Sequence, residues 1–228
     1  MIKINPRKIK DGQYEGYALD LHTTSSVFLG YDSYGHEQFM SKIFIGGSRR
    51  ITKLSNDITG RIDNIMQNGY TVLLGDANGA DKLVQKYLQE KRYRNVLVYC
   101  MGAQCRNNLA EWETRHIPEN QKVKRDFAYY SLKDLAMAKE ADYGFMIWDG
   151  KSKGTLNNVL NLLKEDKKTL VYYSPEKKYY TVNTFDVLKG LLRQGDKQLQ
   201  AMFHKALNKM SYEHAEAQEE NQTTLSLH

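Results

Sequence analysis

No run in this chain approaches the roughly 18 consecutive apolar residues of a membrane-spanning helix, so no membrane partner is expected. The opening stretch from Met1 to Lys10 has no apolar core of the secretion-signal type, which makes a cytoplasmic protein the expectation. Cysteine is scarce. Cys100 and Cys105 are the only two, and their spacing fits neither a C-x-x-C redox pair nor a zinc knuckle. Because Cys100 ends an apolar run, a reduced, structural thiol and no metal site are expected. The segment Glu111-x-Glu113-x-x-His116 matches no metal-ligand spacing either. A P-loop is also missing, since Gly154 is followed by Thr155 where G-x-x-x-x-G-K-[ST] requires lysine. No internal repeat is visible.

What is present suits one domain with a small appendage. Of 228 residues, 41% are hydrophobic and 26% charged, enough to bury a core. The formal net charge of +6 favours anionic partners, either nucleotides or nucleic acid. The basic clusters, Lys164 to Lys168, Lys177-Lys178 and Lys122 to Arg125, are short and mixed with acids.

Residues 1–40 read as a β-prone arm, with Gly16 to His22 and Ser26 to Tyr31 as a hairpin or short strands beside the main sheet. His22, Thr23 and Thr24 fall in this arm. Residues 41–175 then alternate regularly. Ile43 to Ile45, Tyr70 to Leu74, Asn95 to Cys100, Tyr143 to Trp148 and Lys168 to Tyr173 read as five buried strands. Between them, Ile58, Ile62, Ile65 and Met66, and then Leu83, Val84, Tyr87 and Leu88, recur at helical spacing. Ser55 is the N-cap and Asn68-Gly69 the stop of the first of these helices. A third helix is expected from a cap at Ser131, with Leu132, Leu135, Ala136 and Ala138 as its apolar members, and a fourth carries Leu156, Val159, Leu160 and Leu163. The stretch 101–125 reads as one long functional or mobile loop in which Trp112 either stacks on a base or pins the loop to the core. Residues 176–212 read as an edge strand at 179–182 and two helices, and 213–228 as a polar, disordered tail.

This order predicts an α/β fold: a Rossmann-like, doubly wound parallel sheet of about five strands, with a β-prone N-terminal arm and a helical C-terminal extension. Ligands of such sheets sit at the carboxyl ends of the strands, where three small-residue loops fall. The first is Gly46-Gly47-Ser48-Arg49, offering close backbone approach, a hydroxyl and a guanidinium fork. The second runs from Gly75 and Asp76 to Gly79, Ala80 and Asp81. There Asp81 either stabilises the following helix N-terminus or takes a ligand hydroxyl. The third is Asp149-Gly-Lys151-Ser152-Lys-Gly154-Thr155, where a strand, a small-residue loop and a helix N-terminus suit a phosphate.

Read together, I-F-I-G-G-S-R, L-L-G-D-A-N-G-A-D and A-D-Y-G-F-M-I-W-D-G-K-S-K-G-T resemble the SLOG superfamily of Rossmann-like proteins, over about residues 42–173. That superfamily includes cytokinin-activating phosphoribohydrolases, DNA-processing proteins and molybdenum-cofactor carriers, and the pattern is most similar to its small, poorly characterised branch. The resemblance implies a nucleotide, nucleotide-derived or nucleic-acid ligand at Gly46 to Arg49, Gly79 to Asp81 and Ser152 to Thr155, and relatives are often oligomers. The phosphoribohydrolases carry P-G-G-x-G-T-x-x-E, whose Glu acts in cleaving the N-glycosidic bond. Here Asn158 stands at the matching position and the Pro-Gly-Gly is absent.

Three functions follow as expectations. The first is binding of a nucleotide or nucleotide-derived molecule, as sensor or carrier, with no further cofactor identified. The second is a hydrolase or deoxyribosyl-type transferase acting on an N-glycosidic bond, for which Asp81, Asp149, Glu111 and Glu113 are the candidate carboxylates. The third is single-stranded nucleic-acid binding, compatible with the basic balance and 16 tyrosines.

Overall fold

The computed structural model describes residues 41–118, 126–204 and 207, together with the backbone of four short strands in the N-terminal arm. Those four are β1 (Arg7–Lys8), β2 (Tyr14–Glu15), β3 (Val27–Tyr31) and β4 (Glu37–Met40). They pair antiparallel as β1 with β2 and β3 with β4, each a two-stranded sheet outside the main one. His22, Thr23, Thr24 and the tail from 213 lie outside the described residues.

The main chain path then runs β5 (Lys42–Gly47), α1 (Asn56–Gln67), β6 (Thr71–Gly75), α2 (Ala80–Glu90), β7 (Val96–Met101), β8 (Glu113–Ile117), α3 (Phe127–Glu140), β9 (Tyr143–Trp148), α4 (Lys153–Lys164), β10 (Thr169–Tyr173), β11 (Lys178–Val182) and α5 (Phe185–Leu192). A further helical stretch covers 197–204. The sheet has seven strands in the order β11-β10-β9-β5-β6-β7-β8, all parallel except the edge pair β10 and β11. From β5 the chain winds outward through β6, β7 and β8, then crosses back through α3 to place β9 on the other side of β5. The strand order therefore reverses between β5 and β9, and a crevice opens at their carboxyl ends. No helix among the described residues is long and apolar enough to cross a membrane.

Alternation along the strands separates two cores. Phe44, Leu73 and Met146 face α3 and α4, where they meet Met137, Ala138, Leu156 and Val159. Ile43, Ile45, Val72 and Leu74 face α1 and α2, where they meet Ile58, Ile62, Val84 and Leu88. Ser55 caps α1 through its side chain, bonding the Ile58 N–H, and Gly69 turns the chain after it at φ +70°. Trp112 is buried in the second core and donates its indole N–H to Tyr93 O at 2.9 Å, so it pins its loop.

Four expectations need correction. The stretch 101–125 is not one loop: Glu113–Ile117 is a sixth parallel strand paired with β7, and its polar sequence is that of a solvent-facing edge rather than a buried run. Ser131 does not cap α3. Asp126 does, accepting from the Tyr129 N–H, and Ser131 lies inside the helix with its hydroxyl bonded to Phe127 O. The buried face of α3 is also different: Leu132 is exposed, whereas Tyr129, Lys133, Met137 and Ala138 are buried. Finally, Cys100 and Cys105 are joined in a disulfide with Cα atoms 5.0 Å apart, because the turn at Gly102 (φ +68°) folds the loop back on the strand end.

Candidate functional site

A cleft of about 580 Å³ opens at the reversal between β5 and β9. Its lining comes from four places: Phe44 and Gly47 to Arg50 at the end of β5, Ala77 and Asp81 after β6, Lys151 to Thr155 and Asn158 at the start of α4, and one face of α3. Of the sequence-derived candidates, Gly47, Ser48, Arg49, Asp81, Lys151, Ser152, Gly154 and Thr155 reach it.

The first loop is held rigid. Ser48 is 1% exposed, and its N–H donates to Ile147 O at 3.0 Å, tying the end of β5 to β9. Its carbonyl accepts from Ile51 and from Ala80, and its hydroxyl oxygen accepts the Arg50 N–H at 3.1 Å. Gly47 has no space for a side chain, since a Cβ would fall 2.5 Å from Ile147 O and 2.8 Å from Ala80 Cβ.

The second loop braces the first more than it faces the cleft. Gly79 (φ +80°) lies so close to Arg49 that a Cβ would sit 2.4 Å from the Arg49 Cα, and the Ala80 N–H is the one spent on Ser48 O. Gly46 packs between Phe44 and Met146. Asp76 is committed elsewhere. It accepts from the Arg106 backbone N–H at 3.0 Å and from the guanidinium at 3.1 and 2.5 Å, which anchors the loop after β7. Burial raises the Asp76 carboxyl, but the bonds from Arg106 outweigh it and hold the pKa below the usual value. Asp76, Cys105, Arg106 and Tyr130 line a neighbouring cleft of about 450 Å³, separated from the first by the Tyr130 ring, over which the Arg106 guanidinium rests at 4.6 Å.

In the third loop Asp149 is the organiser. Its Oδ1 accepts the N–H groups of Lys151 and Ser152 at 3.0 and 2.8 Å, and its other oxygen lies 3.8 Å from Arg50. Ser152 then caps α4, accepting from the Thr155 N–H and hydroxyl at 3.3 and 2.9 Å. As first-turn groups, the Lys153 and Gly154 N–H have no carbonyl within the helix to bond. A Cβ at Gly154 would meet nothing nearer than 4.0 Å, so approach to this helix end is open. Glu111 and Glu113 do not reach the cleft. Glu113 is the register partner of Leu97 at the starting end of β7, opposite the carboxyl ends of the strands, and Glu111 is in the turn before it.

The floor comes from α3, which sequence reasoning missed. Phe127, Tyr130, Asp134 and Met137 recur at three- and four-residue steps on the face that lines the cleft, with Lys133 beside them. That mixed aromatic and charged stripe was the available signal, hidden because a helix face was sought among purely apolar residues. Lys133 is 3% exposed, with its ammonium 2.6 Å from Asp134. Burial disfavours its charge, yet Asp134 and Asp81 outweigh that and raise its pKa. Asp81 accepts from the Ala77 N–H at 3.3 Å and is 7% exposed. Burial pushes its pKa up to about 6, opposed by Lys133 and reinforced by Asp134. Asn158, with its amide oriented to donate, bonds Gly154 O and Asp134 Oδ2, both at 3.2 Å. Cations also gather at the rim: Lys153 lies 4.3 Å from the centre of the Phe127 ring and Arg49 5.6 Å from that of Tyr130.

The chain matches no family model, no curated protein and no solved structure.

Proposed function

We propose that this cleft binds a nucleotide or nucleotide-derived small molecule. The observation that carries the reading is the placement of the β5 and β9 loops on either side of the strand-order reversal, opening into one cleft rimmed by Arg49, Arg50, Lys151 and Lys153. In this reading the anionic end lies against Gly154, Thr155 and Arg49, where a helix N-terminus and guanidinium act together. Phe127 and Tyr130 add aromatic surface to the lining, and the cleft volume falls within the ~300–1,000 Å³ range of small-molecule sites. The resemblance of the three loops to SLOG proteins supports the same ligand class. A panel of nucleoside mono-, di- and triphosphates and a short single-stranded oligonucleotide, titrated against the protein and its Thr155→Phe variant, tests it. Saturable binding of a small nucleotide lost in the variant supports the reading. Equal affinity in both forms removes the site assignment, and a preference for the oligonucleotide that weakens with salt moves the function to nucleic acid.

A second reading, cleavage or transfer at an N-glycosidic bond, is favoured by the floor. Asn158 stands where a catalytic Glu would be expected, but Asp134 supplies a carboxylate to the same spot from α3. Asp81, whose pKa burial raises to about 6, is the second carboxyl of the floor. Release of free base from nucleoside monophosphates, lost in Asp81→Asn and Asp134→Asn, supports an enzyme. Binding without release at high protein concentration leaves the carrier or sensor role.

A further inference from the structure

Away from the cleft, Cys100 and His116 are register partners on the neighbouring strands β7 and β8, so their side chains emerge on the same face of the sheet. The turn through Gly102 returns Cys105 to the same point. The ligand atoms of Cys100, Cys105 and His116 all lie within 4.8 Å of one another. We propose that, once the disulfide is reduced, these three side chains form a site for a thiophilic divalent metal ion of the zinc type.

The tautomer of the histidine favours this. Its Nδ1 lies 2.8 Å from Gly102 O, a group that only accepts, so Nδ1 carries the proton and Nε2 presents its lone pair. A ligating histidine is commonly fixed in this way, by a carbonyl on its other nitrogen. The Nε2 lone pair now takes the Thr114 hydroxyl at 3.0 Å, a neutral bond on an exposed side chain that rotation of the hydroxyl releases. Charge balance also fits. Cys100 is fully buried and Cys105 packs against the same apolar cluster of Ile, Val and Trp112, surroundings that disfavour net charge. Two thiolates, a neutral imidazole and a divalent ion sum to zero.

Two sulfurs on one zinc ion, at about 2.3 Å each in tetrahedral geometry, are about 3.8 Å apart, a separation reached by turning Cys105 on its loop. Cys105 also lines the 450 Å³ cleft, which gives the ion an access path. The fourth position falls to water, as in three-ligand sites. The chemistry balances with a dithiol as the reductant. The disulfide takes two electrons and two protons from a dithiol, which leaves as its own disulfide, and the metal ion then displaces the two thiol protons.

The test uses the full chain, reduced with a phosphine under anaerobic conditions, loaded with zinc or cobalt(II) and desalted. Expected are one zinc ion per chain in the reduced protein and none in the oxidised protein, with a thiolate-to-cobalt charge-transfer band and tetrahedral visible absorption. Cys105→Ser removes the band, and His116→Ala, checked for folding by circular dichroism, binds at least about tenfold more weakly. A reduced protein that retains no zinc and shows only octahedral cobalt overturns the proposal. So does a His116→Ala variant that binds as tightly as the parent, since the thiols alone would then account for binding.

Discussion

Asp81 and Lys133 meet over the α-carbon of Gly75, where a Cβ would lie 2.5 Å from the carboxylate and 2.8 Å from the ammonium. The absence of a side chain at the end of β6 is what lets α2 and α3 bring opposite charges together under the cleft. Gly75→Ala is expected to displace both groups and destabilise the fold by about 1–3 kcal/mol, the usual range for overpacking. Urea denaturation checks the stability. A tighter loss of nucleotide binding than of stability is the signature of a disturbed cleft floor.

Two other glycines give a contrast. At Gly47 a Cβ would strike backbone, Ile147 O at 2.5 Å, and β5 and β9 cannot separate without breaking their ladder. Gly47→Ala is expected to cost about 3 kcal/mol or to prevent folding. Gly60 is exposed inside α1 with nothing within 4 Å of an added Cβ, so Gly60→Ala is expected to stabilise by about 0.5–1 kcal/mol. Thermal melts of the two variants should move in opposite directions.

The raised pKa of Asp81 has a definite sign. Its carboxyl moves from 3.8 in the unfolded chain to about 6 in the fold, so the folded state holds its proton longer. The stability it contributes is full below pH ~4 and is lost as pH rises to about 6, by about 3 kcal/mol at most for a shift of this size. Asp76 acts oppositely. Its lowered pKa gives stability that is full above 3.8 and lost only in stronger acid. Denaturant titrations from pH 4 to 7 should therefore show a decline that is flattened in Asp81→Asn and retained in Asp76→Asn. An unaltered decline in Asp81→Asn would assign it to another group.

Breaking the Asp76–Arg106 clamp tests whether the loop after β7 shapes the cleft wall. Arg106→Ala leaves Asp76, with a side chain 2% exposed, without its guanidinium and frees one face of Tyr130. A loss of about 1–3 kcal/mol is expected, in the range for an unpaired buried charge that retains one backbone donor, the residue-106 N–H. Hydrogen exchange should rise across 103–109 and leave β5, β6 and β9 protected.

Much of the fold was legible because buried parallel strands are short apolar runs and the helices between them carry regular apolar stripes. Ile43 to Ile45 and Tyr143 to Trp148 are such runs, and Ser55 caps where its pattern says. β8 was not legible: as an edge strand, Glu-Thr-Arg-His-Ile has no buried face to mark it. The site divides in the same way. Glycine loops announce where a strand ends, so Gly47 to Arg49 and Lys151 to Thr155 were found. Local sequence does not say that Asp149 spends an oxygen on its own loop, that Gly79 and Ala80 brace Arg49 and Ser48, or that α3 turns Lys133 and Asp134 inward. Those facts arise from contacts between segments distant in sequence.

Native mass spectrometry of the purified protein, followed by denaturation and small-molecule analysis of what is released, tests the nucleotide-binding claim most directly. A released nucleotide or nucleotide derivative is expected from the parent protein and not from Thr155→Phe. An empty protein whose melting temperature is unmoved by millimolar nucleoside mono-, di- and triphosphates would contradict it.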